Sequence, residues 1–437
     1  MPKHIFVMAL DDFNLEMLKG IRGAEQFRFH CVLSRSELVR ARYYPMDELL
    51  ARAGRQLHEF PETIAGLISY WDFPSSTMAA VLRRRFKLIG PSLESVLCCE
   101  HKYWSRLVQQ QVVPELVPRF CSVDPYATDS LSRIDLPFPF WLKPVRAHSS
   151  HLGYRIADEG DYRHAISEIR ERLPRFAEPF NTLLSCADLP PAIAAVDGYH
   201  CVAEEIIEAD AQCTLEGYVY QGQPRIYGIV DSSRDGHFCS FSRYQYPSSL
   251  PRQVQQRMVA AAEKVMRHID YDNGPFNMEF FYAPSNERLS LLEINARISK
   301  SHCPLFAMVE GVSHHEVAVY LAIGKEPRYP PRKGSFGCAA KFMLRRFEDA
   351  RVLSVPSCEL IRRLEDQFKG SRVCVNVKVG DRLSELRDQD SYSYEYAVVF
   401  LGGRDLEDVE RTWDIFRKEL TFTFAAVLPE EKNDVIP

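Results

Sequence analysis

The chain has 437 residues, of which 46% are hydrophobic and 26% are charged. This composition is typical of a folded protein of about three domains, and it excludes a single small module, a disordered chain and a low-complexity chain. The 54 basic and 59 acidic residues give a net charge of -5, which argues against a general nucleic-acid binder.

The cysteines and the N-terminus indicate the cellular compartment. The twelve cysteines contain no CxxC pair, so they indicate neither a zinc site nor a disulfide framework. The apolar run Ile5–Leu10 is too short to span a membrane and lacks the cleavage site of a signal peptide. We therefore expect a cytoplasmic protein with reduced thiols and no membrane segment.

The first ninety residues alternate short apolar runs with amphipathic stretches, which is typical of strands and helices around a parallel sheet. Four runs are predicted as strands: Ile5–Leu10, Phe27–Leu33, Gly66–Trp71 and Lys87–Ile89. Two stretches are predicted as helices: Met46–Ala53, and Ser75–Arg85 with Ser75 or Ser76 as its cap. The turn after the first strand, Asp-Asp-Phe-Asn, lacks the glycines of a dinucleotide-binding turn. A Rossmann-like sheet without that phosphate-binding turn is therefore expected.

Two interruptions divide the chain. Gly90-Pro91-Ser92 predicts a domain boundary, followed by a helix that runs from Ser92 towards Gln111. The proline-rich stretch 327–334 predicts a linker into a last unit. We therefore expect an N-terminal α/β domain over residues 1–90, a central domain over 91–325 and a small C-terminal α+β lobe over 326–437.

The most informative segment is a predicted β-hairpin with apolar and aromatic runs on both sides of a Pro-Ser-Asn turn. A turn centred on Asn286 pairs residues whose numbers sum to 572, as 279 and 293 do, so Glu279 faces Glu293. Because side chains alternate along a strand, Glu293, Asn295 and Arg297 share one face. Facing acids destabilise a sheet unless a cation neutralises them, and carboxylate and amide oxygens suit Mg²⁺. The alternative is a sheet face on which the acids are merely solvated.

Two lysines and a serine-rich loop lie upstream of the hairpin. Lys143 ends the apolar segment Phe138–Pro144, and the proline after it favours an extended backbone that projects the lysine from the strand end. The next loop contains Ser149 and Ser150, whose hydroxyls and turn amides suit phosphate oxygens. Lys102 lies on the predicted helix after the first boundary. Taken singly, each feature is more typical of a surface than of a site.

In chain order, the motifs are Lys102, Leu142-Lys143-Pro144 with its serine-rich loop, Glu204-Glu205-Ile206-Ile207, Met278-Glu279-Phe280 and Leu292-Glu293-Ile294-Asn295-Ala296-Arg297. This order resembles the ATP-grasp superfamily, particularly its biotin-carboxylase-like and L-amino-acid-ligase-like carboxylate-amine ligases. The resemblance covers about residues 90 to 325. It implies an ATP-grasp fold whose two α+β subdomains hold ATP between them, after a Rossmann-like domain and before the small lobe.

The resemblance also implies roles for single residues. Lys102 and Lys143 would contact the ATP phosphates together with the serine-rich loop, and Glu204 to Ile207 would form the linker at the adenine. Gln212 falls where an acid usually meets the ribose, unless Asp210 supplies it. The cofactors would be ATP and Mg²⁺, with Mn²⁺ as an alternative.

At the reacting end, the resemblance implies that Glu279, Glu293 and Asn295 bind the metal and that Arg297 stabilises the transferring phosphoryl group, with Lys143 beside it. Candidates for substrate binding are weaker, because surface cations are common. Arg243, Lys300 or His302 would anchor a carboxylate, and Glu216 would receive an amine.

The function implied is ATP-dependent ligation of a small carboxylate to an amine through an acyl phosphate, with release of ADP and phosphate. Two alternatives stay open: an ATP-grasp carboxylase or kinase-like phosphoryl transfer, and a non-catalytic nucleotide sensor. The expected partners are small molecules, with neither nucleic acid nor membrane, and a homodimer is an open alternative because related enzymes are often dimers.

Overall fold

The computed structural model describes residues 2–39, 41, 43–147, 152–234, 240–386, 389 and 392–427. The chain forms two compact units. The first consists of Met1–Ile229, Ser249–Cys303 and Ser313–Pro330, and the second of Val230–Ser248, Pro304–Val312 and Pro331–Pro437. The predicted domain boundaries near residues 90 and 325 stay predictions.

The first unit begins with a small parallel sheet. Its strands are β1 (Lys3–Met8), β2 (Phe27–Val32) and β3 (Ile64–Ile68), and its helices are α1 (Asp12–Lys19), α2 (Arg35–Leu38), α3 (Met46–His58) and α4 (Ser75–Phe86). Both β2 and β3 pair with β1 in parallel, so the sheet order is β2-β1-β3. The alternation of apolar runs and amphipathic stretches therefore predicted the parallel sheet correctly.

Two local predictions in this region are wrong. Lys87–Ile89 is not a strand, because Lys87 adopts the left-handed conformation and the Leu88 amide donates to the Arg83 carbonyl at 2.9 Å. These contacts close the C-terminus of α4, which is a common way for a helix to end. The predicted serine cap of α4 is also absent, because the helix begins after Pro74 without a side-chain cap.

The predicted single helix after Ser92 consists of two helices, α5 (Leu93–Glu100) and α6 (Lys102–Val112). The helix start predicted at Ser92 is confirmed, since Ser92 caps α5 with its side chain accepting from the Ser95 amide. His101 leaves the helical conformation with ψ of 99° and caps α6, because its ring accepts from the Trp104 amide at 3.2 Å. The helical direction therefore changes immediately before Lys102.

A four-stranded antiparallel sheet follows in the first unit. Its strands are β4 (Phe120–Val123), β5 (Phe140–Pro144), β6 (Tyr154–Ile156) and β7 (Cys201–Glu205), in the order β4-β7-β5-β6, and its helices are α7 (Glu159–Arg172), α8 (Pro174–Leu184) and α9 (Pro191–Ala194). The buried side chains of Phe140, Leu142, Ile169, Phe176 and Ala203 belong to one core between sheet and helices. Lys143 and Glu204 lie on adjacent strands of this sheet.

The remaining elements up to residue 330 are β8 (Ala211–Tyr220), β9 (Gln223–Arg234), β10 (Phe241–Tyr246), α10 (Arg252–His268), β11 (Gly274–Ala283), β12 (Arg288–Asn295), α11 (Cys303–Glu310) and α12 (His315–Ala322). In the first unit, neighbouring strands follow the order β12-β11-β8-β9. The long helix of this region is α10, whose buried residues include Val254, Met258 and Val265.

The second unit contains β13 (Cys338–Arg346), β14 (Ala350–Ser354), α13 (Cys358–Gln367), β15 (Arg372–Val375), β16 (Tyr394–Gly403), α14 (Leu406–Glu419) and β17 (Thr423–Ala426). Its strands follow the order β9-β10-β13-β16-β15, and β14 pairs with β17. Trp413 stacks on Phe342 at 4.3 Å beside the buried Val399 and Phe416. Within the described ranges, no helix is long and apolar enough to cross a membrane.

Candidate active site

The β11–β12 hairpin brings the two predicted acids face to face. Glu279 pairs with Glu293 and Asn277 pairs with Asn295 in an antiparallel register, as the sum of 572 predicts. Nearer the turn the register shifts by one, so that Phe280 pairs with Leu291. A bulge between Glu279 and Phe280 therefore compensates for a turn centred half a residue earlier than predicted.

The two carboxylates have opposite electrostatic surroundings. Burial and the neighbouring charge of Glu293 raise the pKa of Glu279 above its ordinary value. Burial acts in the same direction on Glu293, but Lys102, Lys143 and Arg146 outweigh it, so the pKa of Glu293 is lowered. A cation bound between the acids would relieve the repulsion that burial strengthens at Glu279.

Two asparagines orient an amide oxygen beside the acids. Nδ2 of Asn277 donates to the Arg297 carbonyl at 2.9 Å. Because a carbonyl only accepts, this bond fixes which end of the Asn277 side-chain amide carries the oxygen. Its Oδ1 then accepts from Nδ2 of Asn295 at 2.9 Å. The Oδ1 of Asn295 is consequently the atom of that side chain available to a cation.

Glu279, Glu293 and Asn295 thus offer hard oxygen donors, which fit Mg²⁺ with further positions for water and phosphate. No group of three or more His, Cys, Asp and Glu residues suited to a metal occurs in the part of the chain that the structure describes. The donor set that stays predicted is two acids and an amide.

Two lysines and an arginine surround the acid pair. Lys102 donates from Nζ to the Ala147 carbonyl at 2.9 Å, and Nζ lies 3.3 Å from Oε1 of Glu293. Burial lowers the pKa of Lys102, and the charge of Glu293 opposes this effect.

Arg146 is buried, with Nη2 3.7 Å from Oε2 of Glu100 and its guanidinium over the Phe73 ring.

Lys143 belongs to a buried ion network with Glu204. Oε2 of Glu204 lies 2.7 Å from Nζ of Lys143, and Oε1 accepts from Nε of Arg106 at 2.7 Å. Burial alone would raise the pKa of Glu204, but the two cations lower it to about 2. Arg106 also donates to the Leu291 carbonyl at 2.7 Å, which ties β7 to β12.

The segment predicted at the adenine continues from the end of β7. The Glu205 amide donates to the Arg119 carbonyl at 2.9 Å, and Ile206 and Ile207 follow without regular structure and are half-buried. Gln212 lies on β8 and donates from Nε2 to Oε2 of Glu279 at 3.0 Å. The structure therefore brings Gln212 to the acid pair.

Arg297 ends the sequence motif, and its guanidinium is paired to a residue of the loop that follows the N-terminal sheet. Nε and Nη2 lie 2.7 and 2.6 Å from Oδ1 of Asp72, in the loop after β3. Burial opposes the charge of Arg297, but Asp72 outweighs this and the pKa of Arg297 is raised.

Comparisons with known proteins agree with this architecture. Residues 136–304 match the family model of the ATP-grasp domain. This segment is therefore similar to an ATP-grasp domain. No curated protein sequence matches it significantly.

Solved structures share the fold of this chain over almost its whole length. An L-amino acid ligase from Bacillus licheniformis is 16% identical with a TM-score of 0.70, and the match covers 98% of this chain and 99% of that one. A phosphoribosylglycinamide synthetase from Anaerococcus prevotii is 12% identical with a TM-score of 0.62, over 98% and 100% of the chains. The biotin carboxylase domain of the Hydrogenobacter thermophilus 2-oxoglutarate carboxylase, solved with MgADP and bicarbonate, is 15% identical with a TM-score of 0.67, over 97% and 91%.

The remaining candidate residues lie in different surroundings. Glu216 is fully buried, with Oε1 accepting from Nδ1 of His302 at 2.9 Å. Nζ of Lys300 lies 3.7 Å from the centre of the Trp71 ring. In the second unit, Nη1 of Arg243 donates to Oε1 of Glu410 at 2.8 Å. Ser149 and Ser150 lie outside the described residues, and the role of each candidate stays a prediction.

Sequence analysis missed two charged residues near the acid pair, Arg146 and Asp72. Arg146 follows Lys143 by three residues, and a second cation at the start of the phosphate loop was a usable signal. Asp72 follows a strand of the parallel sheet, and ligands of such sheets bind beyond the carboxyl ends of the strands. Its contact with Arg297 spans 225 residues of sequence, which no local pattern indicates.

Proposed function

We propose that this protein is an ATP-grasp enzyme, an ATP-dependent ligase that joins a small carboxylate to an amine. The observation that carries the proposal is the Glu279–Glu293 pair with Nζ of Lys102 3.3 Å from Glu293. Binding of adenine alone would not require facing acids beside lysines. The likeness to an L-amino acid ligase and a phosphoribosylglycinamide synthetase supports the same class of reaction.

In this proposal, Lys102, Lys143 and Arg146 balance the charge of the triphosphate. The strand end at Glu204 to Ile207 would bind the adenine side, and Ser149 and Ser150 would contact the phosphates. Glu279, Glu293 and Asn295 would hold Mg²⁺, which supplies charge neutralisation at the phosphate oxygens. This function needs no covalent nucleophile from the protein, because phosphoryl transfer depends mostly on positioning and electrostatics.

The proposed reaction has two steps. A carboxylate oxygen of the substrate attacks the γ-phosphorus, the bond to the β-phosphate oxygen breaks, and an acyl phosphate and ADP form. The amine then attacks the acyl carbon and phosphate leaves. Of the three protons of a substrate ammonium, one stays in the amide, one leaves with phosphate and one passes to solvent. Arg297 would stabilise the phosphoryl group during its transfer.

A phosphate-release screen tests the proposal directly. Pairs of L-amino acids and small carboxylic acids are incubated with ATP and Mg²⁺, and mass spectrometry identifies the product of each active pair. An amide together with ADP supports a ligase. A phosphorylated product would instead indicate kinase-like phosphoryl transfer, and a carboxylated product would indicate a carboxylase. Nucleotide binding without ADP release would favour a nucleotide sensor.

We predict that Glu293→Ala abolishes ATP turnover and leaves the fold intact, because the substitution removes one metal ligand and also one of two repelling acids. Phosphate release and circular dichroism measure the two effects. Glu263→Ala is the matched control, since Glu263 pairs with Arg267 at the surface of α10. Unchanged ATP consumption in the Glu293 variant would refute the site.

The cytoplasmic location and a homodimer stay predictions.

A further inference from the structure

The guanidinium of Arg297 is already paired on the edge that would clamp an oxyanion. Nε and Nη2 lie 2.7 and 2.6 Å from Oδ1 of Asp72, and Nη1 donates to the Ile298 carbonyl at 3.3 Å. A phosphoryl group brought to this edge would meet the negative charge of Asp72. Arg297 can therefore bind the phosphoryl group fully only after Asp72 has been neutralised or displaced.

Asp72 is the more exposed member of this ion pair. Its side chain is 40% exposed, whereas that of Arg297 is 15% exposed. The residue before it, Trp71, is buried and donates from Nε1 to the Ala9 carbonyl at 3.0 Å. The backbone is thus anchored to the sheet while the carboxylate remains accessible to a ligand.

The surroundings of Asp72 are those of the proposed reaction centre. Its charge acts on both Glu279 and Glu293, where it opposes ionisation, and Lys300 lies over the ring of the adjoining Trp71. A cation at Asp72 would therefore reduce the negative charge beside the acid pair as well as free Arg297. A substrate ammonium has this charge and three N–H donors of suitable size.

We infer that Asp72 binds the ammonium group of the amine substrate and thereby releases Arg297 for the transferring phosphoryl group. The inference rests on the proposed ligase function and names its substrate class: amines that arrive as cations, such as amino acids. It also links the two half-reactions, because an acid is activated efficiently only when the amine that will consume its acyl phosphate is present.

The test compares Asp72→Asn with the wild type using two kinds of amine. The twenty L-amino acids supply ammonium groups, and hydroxylamine supplies a nucleophile that is largely uncharged at neutral pH and traps acyl phosphates as hydroxamates. Acids that are active in the phosphate-release screen serve as the first substrate. Asp129→Asn is the matched control, because it removes a surface carboxylate that lies 3.0 and 2.8 Å from Nε and Nη2 of Arg133.

We expect Asp72→Asn to raise KM for the amino-acid amine roughly 10- to 100-fold, the range expected for losing a hydrogen bond to a charged group. Hydroxamate formation should stay at the wild-type rate or exceed it, since Arg297 no longer has to be released. Asp72→Glu, which keeps the charge, should restore most of the preference for ammonium. A purely structural role would lower both activities together and would not be rescued in this selective way.

The possible failures are distinguishable. Absence of both amide and hydroxamate in the wild type with every acid would overturn the proposed function. Hydroxamate formation with none of the twenty amino acids accepted as amine, an unchanged KM in Asp72→Asn, or an equal loss with both amines would overturn the role of Asp72 alone. If Asp72→Asn does not fold, the same comparison is made with Asp72→Ser, which also removes the carboxylate, and an unchanged KM ratio between the two amines contradicts the inference.

Discussion

At the residue scale, one buried carboxylate beside the candidate site is held by several charged partners. This carboxylate is Glu204, because Arg106 and Lys143 both contact it and lower its pKa to about 2. Such a group is costly to break, since removing one partner leaves the other charges buried without compensation. Glu204 therefore keeps Lys143 in position as well as stabilising the sheet.

We predict that Glu204→Gln lowers the free energy of unfolding by about 3 to 5 kcal/mol at neutral pH. Because the pKa of folded Glu204 lies below its ordinary value of 4.5, its contribution is present above that pH and is lost as pH falls towards 2. Urea unfolding at about pH 7 and about pH 3 should therefore show a smaller difference between variant and wild type in acid.

Glu205→Gln is the matched control for that prediction. The neighbouring Glu205 pairs with Arg119 at 3.7 Å in a partly exposed position, and such pairs contribute about 1 kcal/mol or less. Equal destabilisation by both substitutions, or a loss in Glu204→Gln that does not depend on pH, would contradict the role given to the buried network.

At the scale of secondary-structure elements, two small irregularities set the positions of the reactive side chains. The bulge in the hairpin keeps Glu279 opposite Glu293. The break between α5 and α6 at His101 starts a new helix at Lys102. Burial lowers the pKa of His101 to about 4, so the ring is neutral, and its Nε2 donates to the Val196 carbonyl at 2.7 Å.

His101→Ala should lower the free energy of unfolding by about 2 to 4 kcal/mol, because the helix loses its cap and a buried carbonyl loses its donor. We also expect KM for ATP to rise, since Lys102 directly follows the cap. Urea unfolding and ATP titrations measure the two effects. Asn is a good capping residue, so His101→Asn should recover about 1 kcal/mol; a variant with alanine as stable as the wild type would show that the break does not depend on the cap.

At the scale of the whole molecule, the first unit contains the described proposed site residues except Arg243, which lies in the second unit. A ligand that binds the folded state stabilises it by mass action. Mg²⁺ and ATP together, at about 100 times the dissociation constant, should therefore add about 2.7 kcal/mol to the stability of the unit that binds them.

A thermal-shift experiment measures this stabilisation. The midpoint should rise with ATP and Mg²⁺, and a chelator should remove most of the rise because the acids at Glu279 and Glu293 then repel the triphosphate. Glu293→Ala should show little response, whereas Glu263→Ala should behave as the wild type. An equal rise with and without Mg²⁺ would argue that nucleotide binds without the proposed metal ligands.

Local patterns in the sequence were sufficient for the features that depend on neighbouring residues. The two-residue period of the strands and the polar turn predict the hairpin and its facing acids, and Ser92 is recognisable as a helix cap. The same rules failed at Lys87–Ile89, because three apolar residues do not distinguish a strand from a helix end. They also failed at His101, where a buried bond to Val196 accompanies the break in the helix.

The sequence by itself determined the hairpin, the parallel sheet and the motif order that marks an ATP-grasp domain, because these follow from periodicity, turn chemistry and short motifs. Only the tertiary structure decided that Asp72 pairs with Arg297 and that Arg106, Lys143 and Glu204 form one network. Asp72 and Arg297 are 225 residues apart in the sequence, and Arg106 and Glu204 are 98 residues apart. Ion pairs leave no periodic pattern in the sequence. Which charged residues pair therefore depends on which strands and loops the packed core brings together.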